Sequence, residues 1–236
     1  MSVAALIAES DSWDHLAADE ILRRAAMRFA PRLTFATGFG PEGCVIIDLI
    51  GRHRLPVDVF TLDTGLFFPE TYALCRTLEA RYAITIRQVS PAQSVDGQAR
   101  THGPALWQRD PDTCCALRKL APLREELARF DAWITGIRRD QTPDRAGARA
   151  LEHDERFGLA KVNPLVGWSV DEVWAYLKAH DVPTNPLHDL GYPSIGCAPC
   201  TSAVGKGEDQ RAGRWRGLAK TECGLHRREQ AHARIR

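Results

Sequence analysis

Two pairs of cysteines carry the most distinctive chemistry in this chain. Cys197-Ala198-Pro199-Cys200 is a C-x-x-C preceded by Ile195-Gly196, and Cys114-Cys115 is an adjacent pair about 80 residues earlier. Four thiolates in two pairs suit a tetrahedral zinc ion or a cubane iron–sulfur cluster. The zinc-ribbon pattern repeats C-x-x-C. Adjacent cysteines depart from it, because neighbouring side chains on a helix diverge by about 100°. A bulky cluster receives divergent thiolates more readily than one ion does, so the spacing favours iron–sulfur and leaves zinc as the alternative. Cys44 and Cys75 sit within apolar helical patterns and read as core residues. Cys223 stands apart in Glu222-Cys223-Gly224-Leu225-His226, with Lys220 three residues before it and His226 three after. Nearby cations make a thiolate reactive. Local sequence alone allows either a nucleophile or an exposed thiol at Cys223.

The rest of the composition bounds the setting. A chain of 236 residues can build one sizeable α/β core with a short appended segment. No apolar run approaches the roughly 20 residues of a membrane span. The N-terminal MSVAALIAESDSWDH has no basic n-region, so a cytoplasmic protein without membrane partners is expected. There, seven cysteines, an odd number, do not make a disulfide framework. From Gly205 to Arg236 nine Lys/Arg stand against four Asp/Glu, a local charge of 9 − 4 = +5 in a chain of net +1. A basic tail suits nucleic acid, a solvated end or a small polyanion.

Strand and helix signals alternate through the first half. Short apolar strands are expected at Leu33–Ala36, Val57–Leu62, Ile84–Val89 and Ala132–Gly136. Helices are expected from Cys44, over Pro69–Tyr82, over 113–129 with Asp112 or Thr113 as N-cap, and over Ser169–Ala179 with a capping box at Ser169 and Glu172. This order implies a doubly wound, mainly parallel α/β sheet. Ligands of such sheets bind beyond the strand C-termini. The loop Thr37–Gly43, the Asp63-Thr64-Gly65 turn and the segment Gly136–Gln141 therefore share one rim. From about Asn185 periodicity fades into a loop-rich tail. The chain divides into an α/β domain over 1–204, holding the four paired cysteines, and a basic tail over 205–236 carrying Cys223.

Several stretches together resemble the assimilatory adenylylsulfate (APS) reductases, the iron–sulfur branch of the phosphoadenylylsulfate (PAPS) reductase family. They are Cys114-Cys115-x-x-Arg118-Lys119, Trp133–Gln141 (WITGIRRDQ), Lys161–Leu165 (KVNPL), Gly191–Cys200 (GYPSIGCxxC), Arg211-x-Gly213-Arg214-Trp215 and Glu222–His226 (ECGLH). The resemblance covers about Leu33 to His226 and implies an adenine nucleotide alpha hydrolase-like fold. It implies one [4Fe-4S] cluster on Cys114, Cys115, Cys197 and Cys200. It further implies an oxidoreductase of sulfate assimilation and cysteine biosynthesis that converts APS to sulfite and AMP. Cys223 would attack the sulfuryl sulfur to give an S-sulfocysteine, and thioredoxin or a glutaredoxin-like dithiol would release sulfite. The cluster would be structural and electrostatic, since one dithiol supplies both electrons. A homo-oligomer that binds no nucleic acid is expected.

A substrate bearing phosphate and sulfate needs cations, for which Lys119, Arg138, Arg139, Arg211 and Arg214 are the candidates, with His226 beside Cys223. Backbone N–H groups of the loop holding Thr37 and Gly38 suit the α-phosphate or ribose. Related pyrophosphatases carry S-G-G-x-D-S there. This loop lacks its second serine and aspartate, and Glu42 would repel further phosphates, which favours an adenosine monophosphate moiety over ATP. Asp63, Thr64 and Gly65 would edge the nucleoside pocket. PAPS or dual specificity is the alternative within this reading. A zinc-held nucleic-acid or regulatory module is the alternative outside it.

Overall fold

The computed structural model describes residues 3–220 and Gly224. Its single sheet has strands β1 (Leu33–Thr37), β2 (Asp58–Leu62), β3 (Ile86–Val89), β4 (Ala132–Ile134), β5 (Leu151–Asp154) and β6 (Leu159–Val162). The helices are α1 (Val3–Ser10), α2 (Ala18–Phe29), α3 (Pro41–Arg52), α4 (Pro69–Tyr82), α5 (Val95–His102), α6 (Leu106–Arg109), α7 (Pro111–Cys115), α8 (Ala121–Leu127) and α9 (Val170–Ala179). No helix among the described residues is long and apolar enough to cross a membrane.

The strand order is β3-β2-β1-β4-β6-β5, parallel throughout except for the β5–β6 hairpin at one edge. Parallel strands need crossovers and cover on both faces, and the side-chain alternation supplies it. Leu33 and Phe35 of β1, Val59 of β2 and Ile134 of β4 join the core under α2, α3, α4 and α9. Phe60 and Leu62 of β2 and Trp133 of β4 face the other way and pack under Leu123 and Leu127 of α8. The chain winds outward from β1 to β3 and then restarts at β4 beside β1. This makes the β1–β4 junction the switch point where open α/β sheets bind ligands.

Two departures from the sequence expectation shape that junction. The apolar helix begins at Pro41 rather than Cys44, so the Thr37–Gly43 loop shortens to residues 38–40. Proline's fixed φ suits the first helical position, and Phe39 closes the turn in the left-handed region at φ 59° with its ring buried. The helix expected over 113–129 is split. Asp110, not Asp112 or Thr113, caps α7, accepting from the Thr113 N–H at 2.9 Å. After Cys115 the backbone widens into a π-helical turn over Ala116–Leu120 before α8. Pro122 has no N–H to return to the carbonyl four residues back, which opens the ladder there, and π turns concentrate at functional sites. The capping box of α9 forms as expected, with Glu172 N–H to Ser169 Oγ at 3.2 Å.

Candidate active site

Cys114, Cys115, Cys197 and Cys200 come together although the pairs are far apart in sequence. They line one small cavity with Leu66, Trp107, Arg118, Lys119, Arg214 and Trp215. The first three cysteines are buried and Cys200 is half-buried. The first pair ends α7. The second sits on a 3₁₀ turn, Ala198–Cys200, tied down by Ala198 N–H to Leu66 O at 2.7 Å. Among the described residues no three Cys, His, Asp or Glu side chains converge to hold a single ion; the thiols ring a space instead.

Burial pushes the Cys200 thiol up to about 11, Cys197, Cys115 and Cys114 add to the rise, and Lys119 opposes it. Burial likewise raises Cys114, against the Gln98 hydrogen bond, Arg118 and Lys119. Four thiolates here would repel one another without positive charge among them. Arg118 supplies some of it while only 3 % exposed. Its Nε donates to Thr64 O at 2.6 Å and its Nη1 to Gln93 O and Gln98 Oε1, each at 3.2 Å. None of these acceptors is a carboxylate, and a buried cation without an acidic partner matches an anionic neighbour. Gln98 Nε2 in turn donates to Cys114 Sγ at 3.8 Å, and the Thr64 hydroxyl lies 3.3 Å from Cys197 Sγ. One guanidinium therefore braces both cysteine pairs. The soft donor set, its spread and the buried cation fit an iron–sulfur group.

Beside this cavity opens a larger cleft at the ends of β1, β2 and β4. Ala36, Thr37, Gly38, Leu62 and Trp133 form its floor, and Lys119, Arg145, Arg211 and Arg214 bring four cations. No acidic residue lines it among the described residues. Its shape comes from the chain's own turns. Gly196 leaves room for Arg214, since a Cβ there would collide with the guanidinium. Arg214 also stacks 4.5 Å from the Trp215 ring centroid. The segment after the C-x-x-C hooks back through the Thr201–Arg214 bridge and Trp215 N–H to Cys200 O at 3.0 Å.

The expected site residues divide clearly. Thr37, Gly38, Lys119, Arg211 and Arg214 meet in the cation-lined cleft. Glu42 and Arg138 line a neighbouring cleft. Arg138 Nε donates to Glu42 at 2.8 Å, and its Nη1 pairs with Asp140, so this guanidinium is held by carboxylates. Arg139 lines neither cleft; it donates to Ala148 O at 2.8 Å and lies 3.6 Å from Asp14. The rim turn of Asp63, Thr64 and Gly65 borders the cysteine site. Asp63 accepts from Gly65 N–H at 2.9 Å and from the Tyr72 hydroxyl at 2.7 Å, and Thr64 faces Cys197. Gly65, at φ +67°, lies under the Arg118 guanidinium. Cys223 and His226 lie outside the described residues. The chain is traced toward them by Lys220, which pairs with Asp112 of α7, and by Gly224, whose carbonyl accepts from Arg156. Arg118, Arg145 and Trp133 were not expected as site residues. Arg118 and Trp133 stand in the family-like stretches Cys114–Lys119 and Trp133–Gln141, whereas nothing marks Arg145 in sequence beyond its charge.

Comparison with known proteins agrees with this geometry. The phosphoadenosine phosphosulfate reductase domain matches residues 32–203. An adenosine 5'-phosphosulfate reductase of Halalkalibacterium halodurans is 46% identical over 208 residues, covering 88% of this chain and 90% of that protein. A phosphoadenosine 5'-phosphosulfate reductase of Gloeobacter violaceus is 46% identical over 217 residues, covering 91% of this chain and 90% of that protein. The crystal structure of the phosphoadenylyl-sulfate reductase from Candida auris, a phosphate complex, is similar with a TM-score of 0.75 at 34% identity, over 86% of this chain and 98% of that one. A match over most of the sheet and both cysteine pairs, with relatives of near-equal length, makes this chain a member of the phosphoadenosine phosphosulfate reductase family.

Proposed function

We propose that this chain is a cytoplasmic adenylylsulfate reductase of sulfate assimilation, which converts APS to sulfite and AMP with electrons from thioredoxin or a glutaredoxin-like dithiol. The observation that carries the proposal is a shared wall: Lys119, Arg214 and Trp215 line both the four-cysteine cavity and the cation-lined cleft. Cys114, Cys115, Cys197 and Cys200 would hold one [4Fe-4S] cluster, which supplies fixed charge and rigidity beside the substrate anions. Thr37 and Gly38 would receive the nucleotide at the start of α3, and Lys119, Arg145, Arg211 and Arg214 would clamp the phosphate and sulfate oxygens.

The basic tail over 205–236 would deliver Cys223, with His226 beside it, from a base that Arg211, Arg214 and Trp215 seat on the cleft. The Cys223 thiolate attacks the sulfuryl sulfur, the S–O bond breaks, and AMP leaves with the bridging oxygen. This leaves S-sulfocysteine. A dithiol thiolate then attacks the Cys223 sulfur, and sulfite departs with the S–S bonding pair. The second thiol of the dithiol resolves the mixed disulfide, so two electrons pass from dithiol to sulfate sulfur and Cys223 is regenerated.

The relatives named for APS weigh toward APS. The Gloeobacter relative's name keeps PAPS as a second reading. Sulfite release by the anaerobically purified protein with a dithiol donor tests both. A higher kcat/KM with APS than with PAPS is expected. A preference for PAPS, or no sulfite with either nucleotide, would overturn the proposal.

A further inference from the structure

Trp107 carries a polar atom with nothing to bond. Its indole Nε1 is shut off from solvent and has no hydrogen-bond acceptor among the described residues. A buried N–H seldom stays unmade, and indole is a donor only. The ring belongs to α6, which packs against the 3₁₀ turn Ala198–Cys200. Trp107 lines the four-cysteine cavity and also the adjoining groove, and Cys200 lines both as well. The cavity that Trp107 lines is walled by the four thiols Cys114, Cys115, Cys197 and Cys200. Cys197 has the Thr64 hydroxyl and Cys114 has Gln98 as side-chain donors.

We infer that the Trp107 Nε1–H donates a hydrogen bond to a sulfur of the metal site, on the Cys200 side, and is a positioning residue that tunes the electronics of the bound group. This rests on the iron–sulfur reading above and adds to it a donor from α6, outside the family-like stretches. Hydrogen bonds to cluster sulfurs withdraw electron density and raise the reduction potential. Removing one lowers the potential and alters the Fe–S stretching frequencies.

The test uses the anaerobically purified holoprotein and its W107F variant, which keeps a ring and loses the N–H. Iron and sulfide content, resonance Raman spectra in H₂O and D₂O, and the reduction potential are compared. Equal iron and sulfide, a diminished D₂O shift of the Fe–S bands and a more negative potential in W107F are expected. Identical bands, D₂O shifts and potentials in the two brown proteins would overturn the role of Trp107 while leaving the cluster intact. A wild-type protein without iron or sulfide would overturn both. Should W107F not fold, wild-type protein labelled with ¹⁵N at its six indoles decides the matter: a hyperfine-shifted indole N–H that persists in W215F supports the inference, and its loss there or its absence overturns it.

Discussion

The side chains of Thr64 and Cys197 touch, with the hydroxyl oxygen 3.3 Å from the sulfur, although 133 residues separate them in the chain. Leu66 N–H donates to the same hydroxyl oxygen at 3.3 Å, which leaves the Thr64 proton to point at the sulfur. A thiolate at Cys197 gains a charge-assisted hydrogen bond, worth roughly 1.5–3 kcal/mol. Thr64→Val keeps the shape and removes that donor. The holoprotein of this variant should melt several degrees lower, at about 2–4 °C per kcal/mol for a chain of this size, and lose iron faster to a chelator. Calorimetry and iron release measure both.

Arg118 holds the two cysteine pairs in one frame through Thr64 and Gln98. Arg118→Leu fills space while deleting the buried cation and leaving the Thr64 carbonyl without its donor. Loss of roughly 2–4 kcal/mol of stability is expected, with most of the iron lost on purification. Arg118→Lys retains the charge without the fork and should fall between the two. Iron and sulfide per chain, with denaturant midpoints, order the three proteins.

The arginines should separate functionally as they separate in space. Arg211→Ala and Arg214→Ala each remove a cation from the cleft and should lower kcat/KM for APS by about 10–100-fold, the equivalent of one charge-assisted hydrogen bond. Arg139→Ala removes a contact to Asp14 and Ala148 and should leave kcat/KM within about threefold of wild type, because surface ion pairs contribute little. Steady-state kinetics on the three variants checks this order.

Two thiols outside the site should be silent. Burial, with Glu42 adding, pushes the Cys44 thiol up to about 12, and burial, with Glu79 adding, pushes Cys75 up to about 11. At pH 8 both stay protonated in the folded protein, so native alkylation should miss them while urea-unfolded protein reacts fully. Each thiol binds its proton more tightly when folded. Their contribution to stability is thus complete below the ordinary value of 9.0 and declines as pH rises from there toward about 11 for Cys75 and about 12 for Cys44. Peptide mapping after alkylation, and denaturation midpoints above pH 9, test the two statements.

Much of this frame was legible because its signals are local. The apolar runs at Leu33, Val59 and Ala132, Pro69 at a helix start and the Ser169–Glu172 box each name an element without help from distant residues. The β5–β6 hairpin was not legible. Leu151-Glu152-His153-Asp154 carries one apolar residue, and its partner strand buries Lys161, which a 3.1 Å pairing with Glu152 and the Trp133 ring at 6.0 Å make tolerable. The same limit applied at the site. Cysteine spacing marked the four thiols, whereas Arg118 and Arg145 acquire meaning only when the sheet brings Thr64 and Trp133 to them. The Arg138-Arg139 pair looked like an anion clamp in sequence, and tertiary carboxylates, Glu42 and Asp14, hold those charges elsewhere.

Transfer of the sulfuryl group to Cys223 can be read by mixing the anaerobic protein with APS in the absence of any dithiol and recording intact mass and peptide masses. One added sulfonate per chain is expected, located on Cys223, released as sulfite when thioredoxin or another dithiol is added, and absent from Cys223→Ser. Sulfite formation by Cys223→Ser, or a sulfonate on any other residue, would contradict it.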